Sequence, residues 1–253
     1  MYFEEKNGVK ILKFDILKHE SGVLCGVSTR RRPDGGEMDL GVAARGAAGA
    51  PFSNLSLFCS ALDINSVAFM RQRHTANVAF ASAGGEYFEN TDCLVTDRPG
   101  LGLLTVAADC GMVCFYDSRH GALAVMHGGW RGTMLNVYGA ALAVMRLRFG
   151  TGPDDVIACA APMISAANYE VKEDFVASLR SFRPGDYRSF LSSAAGKTFF
   201  DLRSMISARL SELGITRTEF SGFCTCGEPE LFPSWRRDGA ATRHFGMLAA
   251  LKK

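Results

Sequence analysis

Three residues whose side chains bind metal ions lie at the ends of apolar runs. Cys110 follows the run LGLLTVAA, His127 follows ALAVM, and His74 comes shortly after SVAFM. Zinc binds thiolate and imidazole groups, and three protein ligands with an open fourth position are typical of a catalytic zinc site. The spacing therefore indicates a zinc site, although no pair lies in a CxxC or HExxH unit. The alternative is a buried core thiol and two His that bond backbone groups.

The stretch 101–132 must position two of these side chains. It contains three short apolar runs, LGLLTVAA, MVCFYD and ALAVM, bounded by Gly and turn residues as buried strands usually are. The sequence DSRHG at 117–121 is a credible turn between the second and third runs. We therefore expect two neighbouring strands to bring Cys110 and His127 to one edge of a sheet.

The rest of the chain alternates in the same way between strand-like and helical patterns. Further strands are predicted in VKILKFDIL, GVLCGVST, SVAFM, NVAFAS, CLVTD, VIACAAP, TEFSGFC and RHFGMLAAL, and helices at residues 53–62, 133–149, 173–182 and 202–213. Residues 38–51 are rich in Gly and Ala and are expected to be mobile. The pattern predicts a single α/β domain over residues 1–253, a layered sandwich with a mixed β-sheet core flanked by helices.

Composition narrows the class of protein. The 253 residues are 47% hydrophobic and 21% charged, and the net charge of +2 gives no case for binding nucleic acid or an anionic membrane. The eight Cys have no framework spacing, and no signal peptide or membrane span is evident. Reduced thiols in a cytoplasmic protein are the simplest interpretation.

Several motifs give the chain a family resemblance, and they keep their order from one end to the other. They are Gln72-Arg73-His74, Thr91-Asp92-Cys93, Ala108-Asp109-Cys110, His127-Gly128-Gly129-Trp130-Arg131-Gly132, Tyr169-Glu170-Val171, Cys224-Thr225 and Phe232-Pro233-Ser234-Trp235-Arg236-Arg237-Asp238. The chain resembles the YfiH family, long described as multicopper polyphenol oxidases or laccase-domain proteins. Gly128 stands where the family motif has Ala.

The resemblance implies a layered α/β sandwich and a zinc-dependent enzyme that acts on purine nucleosides. Family members phosphorolyse adenosine, inosine, guanosine and methylthioadenosine, and they also deaminate adenosine. The implied metal ligands are His74, Cys110 and His127, and the implied partners are a purine nucleoside and phosphate. A zinc-bound water with a pKa near ~7 is suited to the deamination.

Other residues are assigned roles from the resemblance and from their chemistry, and the resemblance implies that the motif with Arg236 and Arg237 lies at the active site. Arg237 is the first choice for binding phosphate, followed by Arg236 and Arg131, because guanidinium groups bind phosphate bidentately. Asp109 or Asp92 would act as general acid or would orient the zinc ligands. The turn before the predicted helix at 133 would offer free N–H groups to a phosphate, or it is a plain Gly turn.

Three other functions compete with this interpretation. A polyphenol oxidase would need a redox metal such as copper, and five His are few for a multicopper cluster. A peptidoglycan-editing hydrolase, a role assigned to some bacterial relatives, could use the same zinc or a Cys110–His127 nucleophile pair. A non-enzymatic module would close the zinc site with a fourth protein ligand.

Overall fold

The computed structural model describes residues 1–41 and 53–253, so most of the segment expected to be mobile, 42–51, lies outside the described residues. The strands are β1 (Tyr2–Lys6), β2 (Val9–Lys13), β3 (Val23–Ser28), β4 (Ser66–Met70), β5 (Val78–Phe80), β6 (Tyr87–Phe88), β7 (Cys93–Thr96), β8 (Leu101–Ala107), β9 (Gly111–Asp117), β10 (Ala122–Gly128), β11 (Val156–Ala160), β12 (Glu170–Val171), β13 (Leu191–Ala194), β14 (Lys197–Phe200), β15 (Arg217–Phe220) and β16 (Phe245–Leu251). The helices are α1 (Ser53–Leu62), α2 (Trp130–Met134), α3 (Val137–Phe149), α4 (Glu173–Phe182), α5 (Leu202–Glu212) and α6 (Trp235–Asp238).

Two large mixed sheets form the centre of the molecule. One has seven strands in the order β1-β2-β3-β16-β8-β4-β6, and the other has six in the order β15-β11-β9-β10-β7-β5. Most neighbouring strands are antiparallel, but the pairs β4–β8, β4–β6, β5–β7 and β11–β15 are parallel. A three-stranded sheet, β12-β14-β13, lies beside them.

The two large sheets pack face to face, and helices cover their outer faces. Leu103 of β8 and Val125 of β10 belong to the same buried cluster between the sheets. The next residue of β8, Leu104, points to the opposite face and packs with Phe58 of α1. On the far side of the second sheet, β9 packs against α3 and α5. The predicted layered α/β sandwich is confirmed.

The hairpin formed by β9 and β10 lies in the middle of the six-stranded sheet. The two strands are antiparallel, with Met112 opposite His127 and Gly111 opposite Gly128. The start of β9 and the end of β10 therefore lie side by side, at the same end of the strands, as the apolar runs predicted. All seven residues of each strand are buried, which explains their continuous apolar sequence.

Three details differ from the sequence prediction. Only Val9–Lys13 of VKILKFDIL forms a strand. The helix predicted at 133–149 is two helices, α2 and α3, separated by Asn136. Asn136 has a φ of 60° and its side chain accepts a hydrogen bond from the Gly139 N–H, so it ends one helix and caps the next. The short strands β1, β6, β12, β13 and β14 were not predicted.

No helix within residues 1–41 and 53–253 combines the length and the apolarity needed to cross a membrane.

Candidate metal centre

The three ligand-type side chains singled out in the sequence meet at the edge of the sandwich. One ligand atom of each of His74, Cys110 and His127 lies within 4.8 Å of the others. His127 is buried, Cys110 is half-buried and His74 is exposed, so the group is open on one side. The two imidazole rings lie edge to face, with their centroids 4.9 Å apart.

Two loops hold the ligands that do not lie within a strand. His74 follows β4 and has a φ of 60°. The neighbouring Gln72 fastens this loop to β8, since its Nε2 donates to the Val106 carbonyl at 2.7 Å and its Oε1 accepts from the Val106 N–H at 2.9 Å. Cys110 follows Asp109, which has a φ of 92° in the turn between β8 and β9. A non-Gly residue in this left-handed region is strained, so the surrounding structure must hold it there.

Asp92 connects the His74 loop to His127. Its carboxylate accepts hydrogen bonds from the backbone N–H groups of Arg73, His74 and Thr75 at 2.8–3.0 Å. It also accepts from the Thr75 hydroxyl at 2.8 Å and from His127 Nδ1 at 2.9 Å. Because Nδ1 of His127 is used in this way, Nε2 is the nitrogen left for a metal ion.

The charges of this group are strongly coupled. Burial alone would raise the pKa of Asp92, but hydrogen bonds from His127 and the backbone lower it to about 2. Burial would lower the pKa of His127, but Cys110 and Asp92 outweigh burial and raise it to about 9. Burial and the charge of His127 lower the pKa of His74 to about 4. The carboxylate therefore stays ionised beside the two imidazoles.

The local backbone leaves space for this donor set. A Cβ atom on Gly129 would lie 2.6 Å from His74 Nδ1 and 3.1 Å from Cys110 Sγ, so a side chain there would press on both ligands. One sulfur and two imidazole nitrogens, with a carboxylate orienting one imidazole, fit a metal ion that accepts soft and borderline ligands.

Asp109 joins the Cys110 turn to the C-terminal part of the chain. Its Oδ1 accepts from the Thr225 hydroxyl at 2.6 Å, and its Oδ2 accepts from the backbone N–H of Arg236 at 2.7 Å. Asp109 is buried, and its bond to Thr225 is buried as well. One carboxylate oxygen therefore holds the turn to the Thr225 segment, and the other holds it to α6.

The three ligand residues line a cavity of about 610 Å³. Its described lining residues are Gly41, Met70, Arg71, Gln72, Arg73, His74, Val106, Ala107, Ala108, Asp109, Cys110, His127, Trp130, Ile164, Tyr169, Trp235, Arg236 and His244. Among the aromatic members, Trp130 packs on Phe175 with ring centroids 4.9 Å apart, whereas the Trp235 residue is 57% exposed. The cavity is large enough for a small-molecule ligand and combines apolar walls with a few polar groups.

The adjacent residues Arg236 and Arg237 point in different directions. Arg236 lines the cavity, donates from Nη1 to the Glu170 carbonyl at 2.8 Å, and lies over the Tyr169 ring at 5.3 Å. Arg237 is absent from the described cavity lining. Its guanidinium donates to three backbone carbonyls and, twice, to Asp238. These five bonds use all five N–H groups of the guanidinium.

Arg131 and the turn before it also lie outside the described lining. The Arg131 guanidinium stacks on Trp130 at 4.6 Å from the ring centroid. The helix expected to offer free N–H groups is α2, which begins at Trp130 and has five residues. Because Gly128, Gly129 and Arg131 are absent from the described cavity lining, the interpretation of these glycines as turn residues has the stronger support.

Sequence reasoning gave no role to Arg73, Tyr169 or His244, which line the cavity. Arg73 and Tyr169 stand within two of the motifs that gave the resemblance, and this was the available signal. His244 is brought to the cavity by β16, from far along the chain, and no local pattern marked it.

A second group of ligand-type residues combines two residues of the same hairpin with Asp155, which comes directly before β11. Asp117, His120 and Asp155 also bring one ligand atom each within 4.8 Å of the others. Asp117 ends β9 and His120 lies in the turn that follows it. This group is therefore at the opposite end of β9 and β10 from Cys110 and His127.

The chain is similar to proteins of a known family. Residues 24–251 match the model of the family described as multi-copper polyphenol oxidoreductase laccase. A Mycobacterium tuberculosis protein named purine nucleoside phosphorylase is 36% identical over 185 residues, 73% of this chain and 72% of that protein. A protein of the same name from Bacteroides thetaiotaomicron is 34% identical over 160 residues, 61% of this chain and 58% of that protein.

Solved structures show the same fold. The hypothetical protein YfiH of Bacillus licheniformis has a TM-score of 0.86 at 23% identity. YlmD of Geobacillus stearothermophilus has a TM-score of 0.87 at 21% identity. Each of these alignments covers 99% of both chains.

Proposed function

The chain belongs to the multi-copper polyphenol oxidoreductase laccase family, and we propose that it is a zinc-dependent purine nucleoside phosphorylase that also deaminates adenosine. The observation that carries the proposal is the convergence of His74, Cys110 and His127 at a cavity that is also lined by three Arg and three aromatic residues. The names of the relatives support the phosphorylase.

Zinc is the proposed metal because one thiolate and two imidazoles with an open side match a catalytic zinc site. When bound, zinc would supply a Lewis acid and lower the pKa of a coordinated water to about 7. A multicopper oxidase would need many more His ligands than the chain can offer, since it has five His in total. The family description alone therefore does not favour copper.

The cavity residues suit the two substrates. Trp130, Tyr169 and Trp235 offer ring faces on which a purine can stack. The Arg236 guanidinium is the proposed phosphate ligand, because it faces the cavity while Arg237 is fully bonded within the protein. Phosphorolysis breaks the bond from C1′ to N9, forms a bond from C1′ to a phosphate oxygen and delivers a proton to the base. Arg236 would neutralise phosphate charge close to C1′.

The two carboxylates are proposed as positioning residues. Asp92 orients His127 and fixes the backbone of the His74 loop. Asp109 holds the Cys110 turn against α6, and both of its oxygens already accept hydrogen bonds. A general acid needs a proton that it can give to the substrate, and neither carboxylate is placed to carry one. Of the two roles considered for these residues, orientation has the stronger support.

The proposed partners are a purine nucleoside and inorganic phosphate, and the proposed location is the cytoplasm. All eight cysteines are free, which agrees with a reducing compartment.

The test is to incubate metal-analysed protein with adenosine, with and without phosphate, and to identify the products. Adenine and ribose 1-phosphate in the presence of phosphate would support the phosphorylase, and inosine in its absence would support the deaminase. If zinc-loaded protein forms neither product, the proposal is wrong. A parallel incubation with a polyphenol and copper tests the oxidase.

A further inference from the structure

Arg73 lies in the loop after β4, between Gln72 and His74, which are both hydrogen-bonded to other parts of the protein. Its own backbone N–H donates to Asp92 at 3.0 Å, and the preceding Gln72 is bonded to Val106. The backbone at Arg73 is therefore fixed at the metal ligand His74. Its side chain is exposed and lines the cavity.

The Arg73 guanidinium has no hydrogen bond or ion pair with any residue in the part of the chain that the structure describes. The neighbouring Arg71 differs, because it forms an ion pair with Glu89 at 3.3 Å. Arg237 differs as well, since all of its donors are used. Arg73 thus keeps five donors in a planar fork free for a ligand.

The charge of the cavity also favours an anion. Its described lining includes Arg73 and Arg236 besides Arg71, which is paired with Glu89, and Asp109 is the one carboxylate among the described lining residues. Asp109 is buried and already accepts two hydrogen bonds, so it does not pair with a guanidinium. Cationic groups in a concave site raise the local concentration of anions.

We propose that Arg73 forms a second phosphate-binding subsite, presented from the His74 loop, whereas Arg236 acts from α6. The inference rests on the proposed function, because it names the anion that a second subsite of the same cavity would bind. This anion is either the 5′-phosphate of a purine nucleotide, which would extend the substrate class, or an inorganic phosphate ion. Both present the oxygen atoms that a guanidinium binds bidentately.

The experiment measures binding to the wild type, Arg73→Ala and Arg73→Lys by calorimetry, with the metal content of each protein matched. The probes are adenosine 5′-monophosphate, inorganic phosphate and uncharged adenosine. Arg98→Ala is the control, since Arg98 is 58% exposed in its side chain, pairs with Asp97 and is absent from the described cavity lining. The Arg73 side chain makes no bond within the described chain, so its removal should leave the fold intact.

Arg73→Ala should weaken the binding of at least one phosphate-bearing probe by about fivefold to tenfold. Adenosine binding should not change, and Arg73→Lys should keep part of the affinity. A loss confined to the nucleotide identifies the 5′-phosphate as the ligand, and a loss for inorganic phosphate identifies the free ion. Unchanged affinity for both probes, or an equal loss in Arg98→Ala, overturns the subsite. Turnover is measured separately, so failure of adenosine phosphorolysis in the wild type would reject the proposed function without deciding this result.

Discussion

The β9–β10 hairpin carries ligand-type residues at both of its ends, and the two groups differ in what already occupies their ligand atoms. In both groups the three ligand atoms lie within 4.8 Å of one another. One group opens into a cavity of about 610 Å³. The other closes a turn.

At the turn end, the protein itself uses the carboxylates. Asp117 Oδ1 accepts from the backbone N–H groups of Arg119 and His120, and its Oδ2 lies 2.8 Å from His120 Nδ1. Asp155 accepts from the Gly152 N–H at 2.8 Å and pairs with Arg119. These bonds are those of a capped turn. A metal ion there would have to displace them.

At the metal end, the carboxylate of Asp92 is bonded to the ligand residues and is not itself one of the ligands. Asp92 accepts hydrogen bonds from Nδ1 of His127 and from the backbone of the His74 loop, and Cys110 supplies the sulfur ligand. Ligand types at short distance are therefore insufficient evidence for a metal site. The partner of each ligand atom decides whether it is available.

The strongest test of this difference is the pair Cys110→Ser and His120→Ala. Cys110→Ser should lose its zinc and lower adenosine turnover by about 100-fold or more, because a zinc ligand has been removed. His120→Ala should keep zinc and turnover, because the turn end is not expected to bind metal. Zinc per chain by mass spectrometry and product formation from adenosine are the measurements.

Circular dichroism would establish that both variants are folded. Full turnover in Cys110→Ser would contradict the roles of Cys110 both as ligand and as nucleophile. Retained zinc with lost turnover would instead favour a nucleophilic thiolate. Loss of zinc in His120→Ala would reverse the assignment of the two ends.

A second pair compares the two carboxylates, Asp92→Asn and Asp117→Asn. Asp92→Asn should weaken zinc affinity by about 10-fold to 100-fold, as expected when a residue that orients a metal ligand is changed. Asp117→Asn should leave zinc affinity unchanged and lower the free energy of unfolding by about 1–3 kcal/mol, because buried donors lose an acceptor. Zinc competition titrations and urea denaturation separate the two effects. Equal zinc affinity in both variants would remove Asp92 from its positioning role.

A third pair tests the proposed anion-binding group of the metal end. Arg236→Ala should raise the KM for phosphate by about tenfold while keeping more of the deaminase rate, because deamination uses water. Arg237→Ala should lower the free energy of unfolding by about 1–3 kcal/mol, because three backbone carbonyls lose their donor. Kinetics with adenosine at varied phosphate concentration measure the effect of Arg236→Ala, and urea denaturation measures the effect of Arg237→Ala. A larger effect of Arg237→Ala on the phosphate KM would restore the order predicted from the sequence.

Much of the fold could be predicted from the sequence where burial determines the pattern. β8, β9 and β10 are buried along their full length, so their continuous apolar runs were clear. β13 has the sequence LSSA with three exposed residues, and such a strand has no apolar signal. The break at Asn136 was missed because the apolar pattern continues past it, although a residue with positive φ cannot lie within a helix.

The site was less predictable, because sequence gives residue types but not their bonding partners. The metal-ligand set followed from strand ends and from the resemblance. The order of Arg236 and Arg237 could not be predicted, since α6 is a four-residue helix whose side chains point in different directions. The partners of Asp109 and Arg237 come from separate segments of the chain, so only the folded structure shows that their polar atoms are occupied.

The last comparison uses one glycine at each end of the hairpin, and its smallest expected effect is at Gly121. A Cβ on Gly128 would lie 2.0 Å from the Tyr138 hydroxyl, a buried group that is hydrogen-bonded to Thr133. Gly128→Ala should therefore lower the free energy of unfolding by about 1–3 kcal/mol, as overpacking does, and weaken zinc binding at the adjacent His127. Gly121 has open space around it but a φ of 61°, so Gly121→Ala should cost about 1 kcal/mol and leave zinc affinity unchanged.

A second substitution separates the two causes. Tyr138→Phe removes the nearest obstructing atom while the ring carbon at 3.0 Å remains, so it should restore part of the stability of Gly128→Ala. The same change should not improve Gly121→Ala, because the strain at Gly121 lies in the backbone. Urea denaturation and zinc titration of the single and double variants provide the measurement. If Tyr138→Phe gives no coupling with Gly128→Ala, the space at Gly128 is not what limits this position, and the ends of the hairpin differ only in their ligand partners.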